Sequence, residues 1–268
     1  MKRDHAVNRV VLIKQVPESE AVVQVQADGS GVEIEDRYCL NFFDSVAVEE
    51  ALRIKERHGG TVTAMTLGTQ KSIEVLRTAI AMGADDAILL ADPAFASGDE
   101  YATAKALAAA LKKRAYDLIL CGREAFDDSS GIVGPLVAEF LGIPHITSVI
   151  KVDLSPEKQA AIVERQIENG KEIIKAPLPV LLAVQKGLNE PRVPSIMGVM
   201  KAARAEIKQL DLAALGLLPA EVGKAGSQAE IVSYHRPPER RPVTMMQGAV
   251  VDAVRQLVIC LKDEAKVI

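Results

Sequence analysis

Three features predict a doubly wound α/β fold on a mostly parallel sheet. Short aliphatic runs alternate with helical patterns from residue 9 to residue 145. The runs lack polar alternation, as strands covered on both faces do, and glycines stand just past the helical stretches. In order, 10–16 reads as a strand and 44–58 as an amphipathic helix closed by Gly59-Gly60. Residues 61–67 read as a strand, 70–82 as a helix ending before Gly83, and 87–90 as a strand. An Ala-rich helix over 99–114, a strand over 117–121 and a helix over 130–141, ending at Gly142, complete the alternation. Right-handed crossovers then place helices on both faces.

After Pro144 the pattern changes. Strands are predicted at 146–152, 160–167 and 172–175, with Asn169-Gly170 as a hairpin signal between the last two. Residues 180–184 form an aliphatic strand that returns to the sheet. A helix is predicted over 196–207 and a short apolar segment over 215–222, interrupted by Gly216. The Pro/Arg-rich stretch 236–242 reads as an extended connector, and 249–261 repeats apolar residues at helical spacing. The expected division is an α/β domain over 1–225 and an arm over 226–268. The arm's helix packs either on its own domain or on a partner.

With 268 residues, 32 basic against 36 acidic side chains and a net charge of −4, the chain has no dense basic stretch to neutralise a phosphate backbone. Nucleic acid is not an expected partner. No apolar run approaches the ~20 residues of a membrane span, and residues 1–10 lack the apolar core of a secretory signal. Cys39, Cys121 and Cys260 are too scattered for a disulfide framework or metal motif and are expected as buried thiols. The expected compartment is the cytoplasm. With no Trp and 3% aromatics, a ligand site would rest on main chain and aliphatic walls.

The candidate site is the loop after the fourth domain strand: Gly122, Arg123, Glu124, Ala125, Phe126, Asp127, Asp128, Ser129, Ser130, Gly131, Ile132 and Val133. Small residues between a strand's carboxyl end and a helix start let N–H groups approach a phosphate. The alternative is plain capping by Asp128 or Ser129. A second helix start at the same edge, Ser97-Gly98-Asp99-Glu100, is expected to be capped by Asp99 or Ser97, with Thr103 one turn in. Asn41, Phe42, Phe43 and Asp44 either wall an adenine pocket or pack in the core. There is no GxGxxG, no GxxxxGK[ST], no HExxH and no GxSxG. No catalytic group and no metal site are therefore expected. The segment Glu190-Pro191-Arg192 followed by Ile196, Met197, Val199 and Met200 reads as a stiff, adaptable docking knob or as a helix with its apolar face inward. A stand-alone nucleotide-binding regulator with a stress-protein-like α/β fold is an alternative reading from another class.

The stretch 163–183, which contains Glu168-Asn169-Gly170, with Ile13-Lys14-Gln15-Val16-Pro17, the block 41–55, Ala81-Met82-Gly83-Ala84-Asp85, the loop starting at Gly122 and Asn189-Glu190-Pro191-Arg192, resembles the β (small) subunits of electron-transfer flavoproteins, including the FixA branch. The resemblance spans roughly the whole chain. It implies a Rossmann-like, adenine nucleotide alpha hydrolase-like fold and a heterodimer whose α subunit carries the redox-active FAD. It also implies AMP, or a second FAD in electron-bifurcating members, on this chain against Leu12, Asn41, Phe42, Phe43, Asp44, Leu67, Thr103 and the loop 122–133. By the same resemblance Ile196 is an anchor for flavoprotein dehydrogenases of the acyl-CoA dehydrogenase type, with Met197 beside it. The C-terminal helix packs on the α subunit, and electrons pass to an acceptor such as a membrane quinone oxidoreductase. Such a subunit has no catalytic residues of its own; NADH-dependent flavin chemistry belongs to the bifurcating case. This chain has Ser129 where the family usually has an acid, Ile132 where it has Gln, and Asp99-Glu100 where bifurcating members tend to have Asp-Thr.

Overall fold

The computed structural model describes residues 6–239 and 242–268. Its sheet starts with β1 (Arg9–Leu12), buried throughout. The single strand expected over 10–16 is two: the chain leaves the sheet after Leu12, and the Lys14 N–H donates to Asp44 Oδ2 at 2.8 Å instead of extending a ladder. Four short strands follow, β2 (Gln15–Pro17), β3 (Val23–Val25), β4 (Val32–Ile34) and β5 (Tyr38–Leu40). β3 pairs antiparallel with β4, and β5 returns along β2. The sequence reading had no element between 17 and 44: Val23-Gln24-Val25 and Val32-Glu33-Ile34 alternate around Asp28-Gly29, but each strand is only three residues long.

The alternating unit is then α1 (Phe42–His58), β6 (Val62–Leu67), α2 (Ile73–Met82), β7 (Asp86–Leu90), α3 (Glu100–Leu111), β8 (Leu118–Gly122) and α4 (Val133–Leu141). α4 begins three residues later than expected. Ser129 and Gly131 sit at φ 52° and 65°, in the left-handed region, and Asp128 Oδ1 accepts from Ser130 N at 2.9 Å, so 129–131 are not a helical start but follow a turn over 126–128. The hairpin lies in β9 (His145–Leu154), β10 (Ala160–Ile167) and β11 (Gly170–Pro177). Ile167 pairs with Gly170, which makes Glu168-Asn169 the two turn residues. β12 (Val180–Val184), α5 (Ile196–Arg204), β13 (Lys208–Leu210), α6 (Leu212–Leu215), α7 (Gly223–Gly226) and α8 (Val250–Ile259) complete the chain. α5 stops short of the expected 207 because the following residues extend into β13, which pairs with β7.

The nine-stranded sheet runs β11-β10-β9-β12-β8-β1-β6-β7-β13. It is parallel from β9 to β13, with the hairpin β10–β11 attached antiparallel beyond β9. As expected, the aliphatic run 180–184 returns to the sheet, inserted between β9 and β8 with every residue buried. Alternate residues of β1 enter different cores. Val11 packs with Val48, Leu52, Leu76 and Ile80 of α1 and α2, whereas Val10 and Leu12 pack with Leu107, Leu111 and Val137 of α3 and α4. Helices on both faces make the unit doubly wound.

Cys121 is buried, Cys39 is exposed and Cys260 is intermediate, so the expectation of three buried thiols holds for Cys121 alone. No helix among the described residues is long and apolar enough to cross a membrane. Of the connector 236–242, Arg240 and Arg241 lie outside the described residues, as do residues 1–5 of the leading segment. The helix expected over 249–261 forms, and none of the residues of α8 is buried.

Candidate functional site

From β1 the chain winds outward through β6 and β7, then crosses back to β8 on the other flank of β1, so winding direction reverses between β1 and β8. Loops diverge at such a switch point and open a crevice beyond the strands' carboxyl ends. A cavity of about 640 Å³ lies there. Leu12, Leu67 and Cys121, at or near the ends of β1, β6 and β8, form part of its lining.

Of the residues predicted for this site, Leu12, Asn41, Asp44, Leu67, Thr103, Gly122, Arg123, Glu124, Ala125, Asp128, Ser130, Gly131 and Val133 line the cavity. Phe42, Phe43, Phe126, Asp127, Ser129 and Ile132 are not in its lining; Phe42, Phe126 and Ile132 are exposed, and Phe42 meets Phe43 edge to face at 5.8 Å. The lining also contains Lys14, Asp99, Glu100, Leu107 and, from beyond α7, Ala229, Glu230 and Ile231.

The start of α1 holds the loop after β8. Asn41 donates from Nδ2 to Glu124 O at 2.9 Å and accepts from Phe126 N at 3.2 Å. Asp44, fully buried, accepts from Lys14 N and Gly122 N, both at 2.8 Å. Burial pushes its carboxyl up to about 7 against the pull of those two N–H groups. Gly122 has to be glycine here, since a Cβ would stand 2.6 Å from Asp44 Oδ1 and from Phe43 Cβ. Burial by itself would lower the Lys14 ammonium, but Asp127 and Asp128, each 2.8 Å from Nζ, outweigh it and raise it. Lys14 therefore stays charged in the cavity wall.

The two helix starts at this edge differ. At α3, Asp99 Oδ1 accepts from Ala102 N at 2.9 Å, the expected cap. Its Oδ2 takes Gln228 N at 2.6 Å and Ala229 N at 2.9 Å, which straps the later chain across the opening. At α4 no side chain caps the first turn: Asp128 is turned to Ser130 N instead. The N–H groups of Gly131, Ile132, Val133 and Gly134 find no acceptor among the described residues. Gly131, Val133 and Gly134 line the cavity. Open N–H groups at a helix start, a nearby ammonium and an aliphatic floor suit an anion carrying an apolar ring.

The second predicted region divides into a base and a tip. Arg192 is folded onto α1, with Nε 2.6 Å from Glu49 Oε2 and Nη1 2.8 Å from Glu56 Oε1. Glu190 is exposed and Pro191 half-buried. Ile196 and Met197 are 81% and 73% exposed, and Val199 and Met200 are exposed beside them. Of the two readings of this helix, the inward-facing one does not hold: Ala202 is the single buried residue of α5.

The sequence matches the family described as "Electron transfer flavoprotein domain" over residues 31–215. It is 42% identical over 252 residues to electron transfer flavoprotein subunit beta of Thermoanaerobacterium thermosaccharolyticum, covering 94% of this chain and 96% of that one. It is 36% identical to the Bacillus subtilis protein of the same name, covering 97% and 100% of the two chains. It is also 38% identical to the Caffeyl-CoA reductase-Etf complex subunit CarD of Acetobacterium woodii, covering 95% and 98%. A parallel sheet with its cavity at the switch point, and similarity over nearly the whole length, lead to one assignment: the chain belongs to the beta-subunit branch of the electron transfer flavoprotein family.

Proposed function

We propose that the cavity binds an adenine nucleotide, AMP in the first reading, with its phosphate on the open N–H groups of α4, and that this chain is half of a heterodimeric electron carrier. The single observation that carries this is the uncapped start of α4 facing a cavity at the switch point, while its neighbour α3 is capped. The residues fit the group: the open N–H groups of Gly131, Val133 and Gly134 border the cavity, Lys14, paired with Asp127 and Asp128, stands in its wall, and Leu12, Leu67 and Leu107 offer apolar walls for a ring. A hydrogen bond to a charged phosphate contributes about 1.5–3 kcal/mol. Glu100 and Glu230 line the same cavity and disfavour a second phosphate near them, which is why AMP comes first.

The FAD of the partner subunit supplies the electron chemistry when bound. This chain binds, orients and docks. Val250, Val251, Val254, Leu257 and Val258 leave an apolar stripe of α8 bare, and we assign that stripe to the flavin-bearing α subunit. The tip at Ile196 is the contact for a flavoprotein dehydrogenase of the acyl-CoA dehydrogenase type. Burying such a side chain contributes ~1.5–3 kcal/mol, suited to a complex that forms and releases. A cytoplasmic location goes with this reading.

A second reading, with FAD in this cavity and electron bifurcation from NADH, is favoured by two relatives named as subunits of CoA-reductase systems, CarD and the "Acryloyl-CoA reductase electron transfer subunit gamma" of Anaerotignum propionicum, 33% identical. Co-expression with an α subunit, denaturation and quantitation of released nucleotides separate the two. One AMP and one FAD per heterodimer is expected; two FAD and no AMP selects the second reading, and FAD alone at one per heterodimer contradicts nucleotide binding by this chain.

A further inference from the structure

The docking tip is borne on a segment held at both ends, and the two holds differ in kind. At the far end, α5 lies against α2: a Cβ on Gly198 would stand 2.3 Å from Ala81 O, and Arg77 Nη1 donates to Ala203 O at 2.7 Å. Ser195 Oγ caps α5 by accepting from Gly198 N at 3.0 Å. These contacts act through the backbone.

At the near end the hold is ionic and sits on α1. Glu49 is 3% exposed, and both its oxygens are used. Oε2 accepts from Arg192 Nε at 2.6 Å and Arg192 N at 3.3 Å, while Oε1 accepts from Arg192 Nη2 at 3.2 Å and Arg53 Nε at 2.7 Å. One turn of helix therefore grips both the guanidinium and the main chain of the same loop residue. Burial would raise the Glu49 carboxyl, but the Arg192 and Arg53 guanidiniums outweigh it and hold it below the usual range. The next residue, Glu50, also buried, accepts from Asn189 Nδ2 at 3.1 Å, and the same nitrogen reaches Val46 O at 3.1 Å. Four consecutive loop residues, 189–192, are thus pinned at both ends to 46–50. Beyond Arg192 the chain meets solvent at once: Val193 is 89% exposed and Ile196 follows two residues after Val193-Pro194. The direction in which the tip leaves the domain is set at Arg192.

We propose that Glu49 is a positioning residue for docking: by gripping Arg192 it aims the apolar tip at Ile196 toward the dehydrogenase. This rests on the docking reading above. Glu49 touches no partner itself, because it lies beneath the loop. Loss of its charge leaves the Arg192 guanidinium in an ion pair only with the exposed Glu56, and the tip is able to sample directions in which it cannot dock. The association step weakens, while electron transfer within the formed complex keeps its rate.

The test uses the purified heterodimer and an acyl-CoA dehydrogenase reduced with butyryl-CoA as electron donor. The variants are Glu49→Gln, Ile196→Ala and the double variant, with KM for the heterodimer, kcat, flavin content and melting temperature measured on each. Expected for Glu49→Gln is a KM raised about tenfold with kcat within twofold of wild type and flavin content unchanged. The double variant is expected to match Ile196→Ala, because Glu49 acts through the tip. If Glu49→Gln does not fold, Glu56→Gln takes its place; it removes only the exposed Arg192 Nη1 bond and is expected to raise KM two- to threefold. An unchanged KM in the Glu49 variant (or in Glu56→Gln where that stands in), or additive effects in the double variant, with Ile196→Ala still impaired, overturns the positioning role and leaves the docking reading standing. An unchanged KM in Ile196→Ala removes both.

Discussion

The starts of α3 and α4 stand at the same sheet edge and border the same cavity, yet they are finished differently. α3 is closed by Asp99, whose second oxygen also straps Gln228 and Ala229. α4 is left open, although Asp128 and Ser129 are close by in sequence and Asp128 is engaged by Lys14 and Ser130. An acidic residue near a helix start is therefore not enough to make a cap. The left-handed turns at Ser129 and Gly131 carry Asp128 away from the first turn of α4, and the donors it would have satisfied remain for a ligand.

The strongest way to break the contrast is to give α4 a cap of its own. Ile132→Asp puts a carboxylate at the N-cap position of α4, beside the open N–H groups, where it repels a phosphate. AMP affinity, measured by calorimetry on the heterodimer stripped of nucleotide, is expected to fall 10- to 100-fold, in line with about 1.5–3 kcal/mol for the lost charge-assisted bond. Melting without nucleotide is expected to rise slightly. The converse change opens α3. Asp99→Ala removes the cap and the one oxygen that accepts from both Gln228 N and Ala229 N, and a stability loss of about 1 kcal/mol is expected in denaturant melts. Faster amide exchange at Gln228 and Ala229, with less change at α4, would accompany it.

A third effect concerns pH. The fold raises the Asp44 carboxyl from 3.8 to about 7, so the folded state holds a proton that the unfolded chain has already released. Stability contributed by this group is full below 3.8, falls as pH rises through the window up to about 7, and is level above it. Melting temperatures taken from pH 5 to 8 should show that decline, and Asp44→Asn should flatten it. A wild-type profile that rises across the same window would contradict the assignment.

The centre of the parallel sheet was legible because β8 and β12 are aliphatic runs, and 180–184, like 160–167 of the antiparallel hairpin, was read to the residue. The loop after β8 was legible because small residues cluster between a strand and a helix. The true start of α4 was not, since nothing in Ser129 announces a left-handed backbone. Ala229, Glu230 and Ile231 were missed as cavity residues because Asp99, more than a hundred positions earlier, holds that part of the chain there through main-chain N–H groups. Helical spacing of Ile196, Met197, Val199 and Met200 was plain, but spacing cannot say whether a stripe faces a core or solvent. Arg192 shows the reverse case: an apparent docking charge is turned inward to Glu49.

A crystal structure of the heterodimer grown with AMP is the most direct test of the central claim. Phosphate oxygens within hydrogen-bond distance of the Ile132, Val133 or Gly134 N–H groups, with the adenine among the apolar walls of the cavity, are expected. A phosphate bound elsewhere, or a start of α4 sealed by a side chain while the nucleotide is present in solution, would contradict it.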